Sequence, residues 1–208
     1  MHHLPFPVLC ATVDFLVLDK PAGISVHSDP AGQDMLSLLQ QSQPRQAFFP
    51  VHRLDAATSG CLLVARSLAS ARILTAHFAK RRVYKSYHAC VHGKPNPAEG
   101  EIFTHLSPET PGSQRMSVVE PGAGPPAFTT YRTLRSCPEF SLVELHPITG
   151  RTHQLRVHLR HLGHPILGDP LYAFPNTPSA ARLMLHAATL IFPDADGHVH
   201  EIHAPRPF

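Results

Sequence analysis

The stretch VHRLDAATSG, residues 51 to 60, sets two potential cations, His52 and Arg53, close before a carboxylate, Asp55, and follows it with the hydroxyls of Thr58 and Ser59 and with Gly60. A lone carboxylate in such a loop can attack an electrophilic carbon, or it can organise the loop by accepting backbone N–H groups. The stretch by itself leaves both open. Other chemistries fit less well. Hydrolysis by paired carboxylates needs a second acid, and Asp34 in GQDM and Asp169 in LGDP stand at no spacing that announces a pair. ATSG is not the nucleophile elbow of a serine hydrolase, and neither a phosphate-binding loop nor a dinucleotide fingerprint occurs.

A second stretch with chemical potential is RTHQLRVHLRHLG, residues 151 to 163. On a helix, His153, Arg156 and Arg160 share one face by the i, i+3, i+7 rule, while Leu155, Leu159 and Leu162 occupy another. That face is either a solvated basic surface or a contact for a polyanion. His153, His158, His161 and His164 raise the idea of zinc and of a metal-dependent hydrolase. Their faces diverge, and no Cys or paired carboxylate completes a ligand set, so no metal is expected.

The elements that must hold these residues can be read from pattern. DFLVLDKPAG is a strand ending in a Pro-Gly turn, and GQDMLSLLQQSQ is a short helix stopped by Pro44. CLLVARS is a continuous apolar run of strand length, expected where both faces are covered. Ser67 caps a helix through LASARILTAHFAKRR, with Lys80, Arg81 and Arg82 in its last turn, where they suit the helix dipole. VYKSYHACVHG alternates as a strand, placing Lys85 and Tyr87 on one face. Residues 93 to 127 read as irregular loops and short strands, with QRMSVV one candidate. FTTYRTL and FSLVELH read as consecutive strands, and ATLIFPDADGHVHEIH as a hairpin closed at Asp196-Gly197. Strands in hairpin succession with inserted helices predict an α+β domain on a mixed, largely antiparallel sheet.

The 208 residues are enough for one catalytic domain spanning 1–208. Net charge is only +3, from 18 Lys and Arg against 15 Asp and Glu, so a nucleic-acid partner is permitted and the distribution of cations decides. Cys10, Cys61, Cys90 and Cys137 form no C-x-x-C pair, which predicts reduced thiols. No apolar run is long enough to span a membrane, and no signal peptide is evident, so a cytoplasmic protein is expected.

VLDKPAGISVH, HRLDAATSG, VYKSYHACVHG, GRTHQLRVHLRHLGHPILGDPLY, LHAATLIFP and the terminal HAP together resemble, in order, the motif series of the RluA family of pseudouridine synthases, from about Leu16 to the C-terminus. The resemblance implies isomerisation of uridine to pseudouridine in structured RNA, a ribosomal or transfer RNA stem-loop, with no cofactor and no metal, by a monomer. It implies Asp55 as the catalytic carboxylate, Tyr87 and Arg156 as its partners, and Arg53 as the residue filling the gap left by an extruded base. Such chemistry is physically consistent: the base must leave its stack, rest on an aromatic platform such as Tyr87, and meet an ionised carboxylate that Arg156 can keep ionised. His52, Lys80, Arg81, Arg82, Lys85, Arg151, His153 and Arg160 are then candidates to contact RNA in a cleft, and Leu155 to floor the pocket. Where the family often has G-K-x-A-x-T this chain has GPPAFTTY, so Pro125 replaces a Lys, and no N-terminal S4 domain is expected. The competing reading is a non-catalytic RNA-binding or chaperone protein on the same scaffold.

Overall fold

The computed structural model describes residues 4–27, 31, 33–110 and 112–208. The expected α+β composition on a mixed, largely antiparallel set of strands is found: eleven strands and three helices among the described residues. The chain forms two compact units, one reaching to Lys85 and resuming at His186–Pro207, the other running Ser86–Leu185 with Phe208. No helix among the described residues is long and apolar enough to cross a membrane.

In the first unit, β1 (Val8–Ala11) pairs antiparallel with β2 (Phe15–Lys20); α1 (Met35–Ser42) and β3 (Phe49–Pro50) follow, then β4 (Ser59–Ala65) and α2 (Leu68–Ala79). All seven residues of β4 are buried, as its unbroken apolar run requires. β2 covers one edge of β4 from Gly60 to Ala65. The other edge changes partner: Ser59 and Gly60 pair parallel with His186 and Ala187, whereas Val64 and Ala65 pair with β3. The core gathers Phe15, Val17, Leu63, Leu74, Leu190 and Phe192. Asp34, weighed in the sequence as a possible acid, is the N-cap of α1, its Oδ1 accepting the Ser37 N–H at 3.0 Å; the expected start of that helix at Gly32 lies outside the described residues. Ser67 caps α2 in the same way.

In the second unit, β5 (Tyr84–His92, its first two residues belonging to the first unit), β6 (Glu99–Pro108), β7 (Met116–Val119), β8 (Pro126–Ser136) and β9 (Phe140–Pro147) pair antiparallel in the order β5-β9-β8-β6-β7, and α3 (Gln154–His161) follows. Back in the first unit, save for Leu185, β10 (Leu185–Pro193) returns as a hairpin to β11 (Val199–His203), its turn holding Asp196 and Gly197 as expected.

Three expectations needed correction. The ten-residue β6 was hidden among Pro and Gly breakers; its inward row is Ile102, Thr104 and Leu106, and the polar Thr104 obscures the apolar alternation. Thr104 is buried because its hydroxyl meets His158 Nε2 at 3.0 Å. α2 stops at Ala79, so Lys80 is its C-cap and Arg81, in the left-handed region at φ 56°, and Arg82 lie beyond the last turn. α3 begins at Gln154, three residues later than the sequence suggests, because His153 is itself left-handed at φ 55°.

Candidate active site

Asp55 is half-buried at the head of a tight turn: its carbonyl accepts the Thr58 N–H at 3.0 Å. Three devices fix that turn. The first is Lys20, fully buried, whose Nζ donates to the carbonyls of Pro21 (2.9 Å), Ala56 (2.9 Å) and Thr58 (2.7 Å). One ammonium thus ties the end of β2 to both sides of the Asp55 turn, and the Gly23 N–H adds a bond to the Ala56 carbonyl at 2.8 Å. The second is His52, whose Nε2 accepts the Leu63 N–H of β4 at 2.9 Å while its ring stacks on Phe78 of α2 with centroids 4.7 Å apart. Burial, with Lys85 adding to it, pushes the His52 pKa down to about 3, so the imidazole is neutral and serves as an acceptor. The third is the start of β4. Ser59 Oγ is hydrogen-bonded to His186 Nδ1 at 2.9 Å, and Gly60 has φ +109° with its missing Cβ pointed at the Ala187 carbonyl, so no other residue fits without moving a neighbouring strand. Thr58 and Ser59 are buried and committed to this framework, which removes them as nucleophiles.

Lys20 was overlooked in the sequence, where the LDKPAG turn drew notice only for its Pro and Gly. A Lys directly before a Pro-Gly turn at the end of an otherwise buried strand was the available signal.

Arg156 lies in the second unit, 4% exposed on α3. Its Nε donates to Asp169 Oδ2 and its Nη2 to Oδ1, both at 2.8 Å, a two-pronged ion pair. Asp169 Oδ1 also accepts the N–H groups of Leu171 (2.9 Å) and Tyr172 (3.1 Å). The Arg156 guanidinium sits over the Tyr172 ring at 5.0 Å. Beside it, His153 Nδ1 is hydrogen-bonded to the Tyr172 hydroxyl at 2.9 Å, and Arg160 Nη1 donates to the Tyr172 carbonyl at 2.9 Å with its guanidinium over Phe174 at 5.0 Å. The face of α3 for which the sequence left a solvated basic surface or a polyanion contact open is the seat of the segment Asp169–Phe174. Its charges meet a carboxylate, carbonyls and aromatic rings supplied from within the fold. Asp169, unmatched as a second acid in the sequence, is the counterion.

α3 is anchored by its own first residue. Gln154 Oε1 accepts the Thr149 hydroxyl (2.7 Å) and the Arg151 N–H (3.0 Å), and its Nε2 donates to the Phe128 carbonyl (3.0 Å) and Thr129 Oγ1 (2.9 Å). His158 bridges Thr104 and Thr129, and burial lowers its pKa to about 4. His164 Nδ1 is bound to the His92 carbonyl at 2.8 Å. These histidines therefore have structural partners. Among the described residues, the one group that brings three metal-type ligands together is Asp194, Asp196 and His198 at the β10–β11 turn, and no α3 histidine belongs to it.

Tyr87 is half-buried opposite Leu145, which in turn faces Tyr131. Cross-strand partners share a face and Tyr131 shares one with Thr129, so Tyr87 projects to the side of the sheet on which α3 lies. Lys85 is half-buried, and desolvation draws its pKa down. Leu155 is buried. Arg53, Lys80, Arg81, Arg82 and Arg151 are exposed, and Arg151 Nε donates to the Pro126 carbonyl at 3.1 Å. The four cysteines are free, and burial with nearby Asp19 pushes the Cys61 thiol up to about 12.

The first unit thus holds a half-buried carboxylate on a pinned turn, and the second a buried guanidinium and a half-buried aromatic strand residue. Residues 14–161 match the RNA pseudouridylate synthase family model, and the chain belongs to that family. Within it, the chain is 40% identical over 184 residues to the dual-specificity RNA pseudouridine synthase RluA of Salmonella typhi, covering 84% of this chain and 81% of that one. It is 39% identical over 203 residues to the protein of that name from Escherichia coli (strain K12), covering 93% and 90%. The solved structure of human RNA pseudouridylate synthase domain containing 1 superposes with a TM-score of 0.84 at 31% identity, over 99% of this chain and 85% of that one. The resemblance to the RluA family read from the sequence motifs is thereby shown.

Proposed function

We propose that the chain isomerises uridine to pseudouridine within structured RNA, with Asp55 as the reacting carboxylate. The observation that carries this reading is the Asp55 turn: a half-buried carboxylate on a segment pinned by a fully buried Lys20, a neutral His52 and an obligate Gly60. A group that merely organised its loop would not need so many other residues to organise it. The reaction breaks the bond between C1′ and N1, turns the detached uracil and joins C1′ to C5; C5 loses its hydrogen as a proton and N1 gains one. Substrate and product are isomers, so the balance calls for no cofactor. Asp55 supplies the nucleophile or the carboxylate that stabilises the separated sugar. Tyr87 offers the flipped base a ring to rest on, and Arg53 the plane that replaces it in the RNA stack. Arg156 presents a guanidinium whose direction Asp169 fixes.

Target RNAs of the ribosomal or transfer stem-loop type, bound by a monomer in the cytoplasm, are part of the same reading. The name dual-specificity carried by the RluA relatives supports more than one target. The test is tritium release from total tRNA and rRNA labelled at uridine C5. Release by the wild type, lost in Asp55→Ala and indifferent to chelator, is expected. Equal release by Asp55→Ala would remove Asp55 from the chemistry, and binding without release would leave a binding protein.

A further inference from the structure

We infer that Tyr172 is a positioning residue for Arg156, acting through its ring and its hydroxyl, with Asp169 as the other half of the same mount. The inference rests on the role proposed for Arg156. Tyr172 is 1% exposed and meets the guanidinium, its counterion and the start of α3. Its ring lies under the Arg156 guanidinium at 5.0 Å, and its N–H shares the Asp169 oxygen that accepts Arg156 Nη2. Its hydroxyl accepts the Met116 N–H of β7 at 2.8 Å and is hydrogen-bonded at 2.9 Å to His153, the left-handed residue from which α3 starts. A phenol at this place therefore fixes where α3 begins and in which plane its third residue holds its fork. An apolar ring could fill the volume, but it would release the Met116 N–H and the His153 ring. A buried Arg–Asp pair adds little to stability over apolar packing, so so elaborate a mount is better explained by what Arg156 must do.

Tyr172→Phe keeps the ring and deletes the hydroxyl. With the tritiated tRNA and rRNA on which the wild type acts, this variant is expected to lose at least ten-fold in the rate at saturating enzyme. Its half-saturating concentration should stay within about two-fold and its thermal midpoint within a few degrees. Arg156→Lys, which keeps a buried positive charge beside Asp169 but lacks the fork, provides the reference. Adding Tyr172→Phe to Arg156→Lys should slow the reaction little further, because the geometry that Tyr172 maintains is already lost. Full activity in Tyr172→Phe, or a double variant slower than Arg156→Lys by the whole factor of the single change, overturns the inference. Wild-type rates in Arg156→Lys and Arg156→Ala would overturn the reading of Arg156 itself and the inference with it.

Discussion

Arg156 and Asp169 form two parallel N–H···O bonds of 2.8 Å, the Arg side chain 4% exposed and the Asp side chain 0%. Charges so enclosed cost several kcal/mol each to desolvate, and their attraction roughly offsets that cost. Breaking the pair is another matter. Asp169→Ala takes the two-pronged partner from a buried guanidinium and is expected to lose about 3–5 kcal/mol, whereas Arg156→Met with Asp169→Leu should regain part of the loss, the Leu171 and Tyr172 N–H groups still lacking their acceptor, while remaining inactive. Urea denaturation of the three proteins checks this, and a stable Asp169→Ala protein would contradict it.

Lys20 is the second buried cation, and its partners are three carbonyls that belong to the Asp55 turn and the turn after β2. Lys20→Met retains the bulk and removes the donors. Each carbonyl left without a partner costs on the order of 1–3 kcal/mol, less where water reaches it. We expect a loss of about 2–4 kcal/mol and a fall in tritium release beyond what the unfolded fraction explains, since the Asp55 turn is what comes loose. Release in proportion to the folded fraction would make Lys20 a stability residue only.

Much of this was legible in sequence, and the exceptions share a cause. β4 and α2 announce themselves because burial on both faces, or on one helical stripe, leaves an apolar pattern that needs no partner to be read. Asp55 was singled out by a motif. β6 was missed because Thr104 stands in its core row, acceptable only beside His158, which is 54 residues away. The internal partners of the α3 cations went unread because Asp169 and Tyr172, which enclose them, follow a turn whose direction depends on Gly168: φ +71°, with its missing Cβ against the Arg182 carbonyl. Local periodicity reports which face is apolar; it does not report which charged face is covered by a later segment of chain.

Two desolvated histidines, His158 buried and His52 half-buried, set a pH dependence. In the folded chain His52 titrates at about 3 and His158 at about 4, both held down first by burial, against about 6.5 when unfolded. Above pH 6.5 both states are neutral and the term vanishes. As pH falls below 6.5, the unfolded chain takes up protons that the folded one refuses, so stability is lost through the window from 6.5 towards 4, by up to about 1 kcal/mol per pH unit for each histidine. Denaturation midpoints at pH 8, 7, 6 and 5 should be flat and then fall, with a shallower fall in His52→Gln and in His158→Gln. An unchanged slope in both variants would mean that neither imidazole is held neutral.

Lys80, Arg81 and Arg82 are the cations most plainly available to RNA, since α2 ends before them and the left-handed Arg81 turns the chain away from the helix axis. Their fields were expected to be absorbed by the helix dipole; outside the last turn, that service largely lapses. Phosphate contacts reveal themselves by counterion release, each lowering the slope of log affinity against log salt by about 0.7–0.9. Changing all three to Ser should weaken binding to tRNA and rRNA at low salt and flatten that slope by about two units if all three engage. Because these side chains are exposed, the thermal midpoint should move little, and the rate at saturating enzyme should stay near the wild-type value. A slope equal to that of the wild type would place the RNA track elsewhere, and Arg151 and Arg53 would then be the residues to change next.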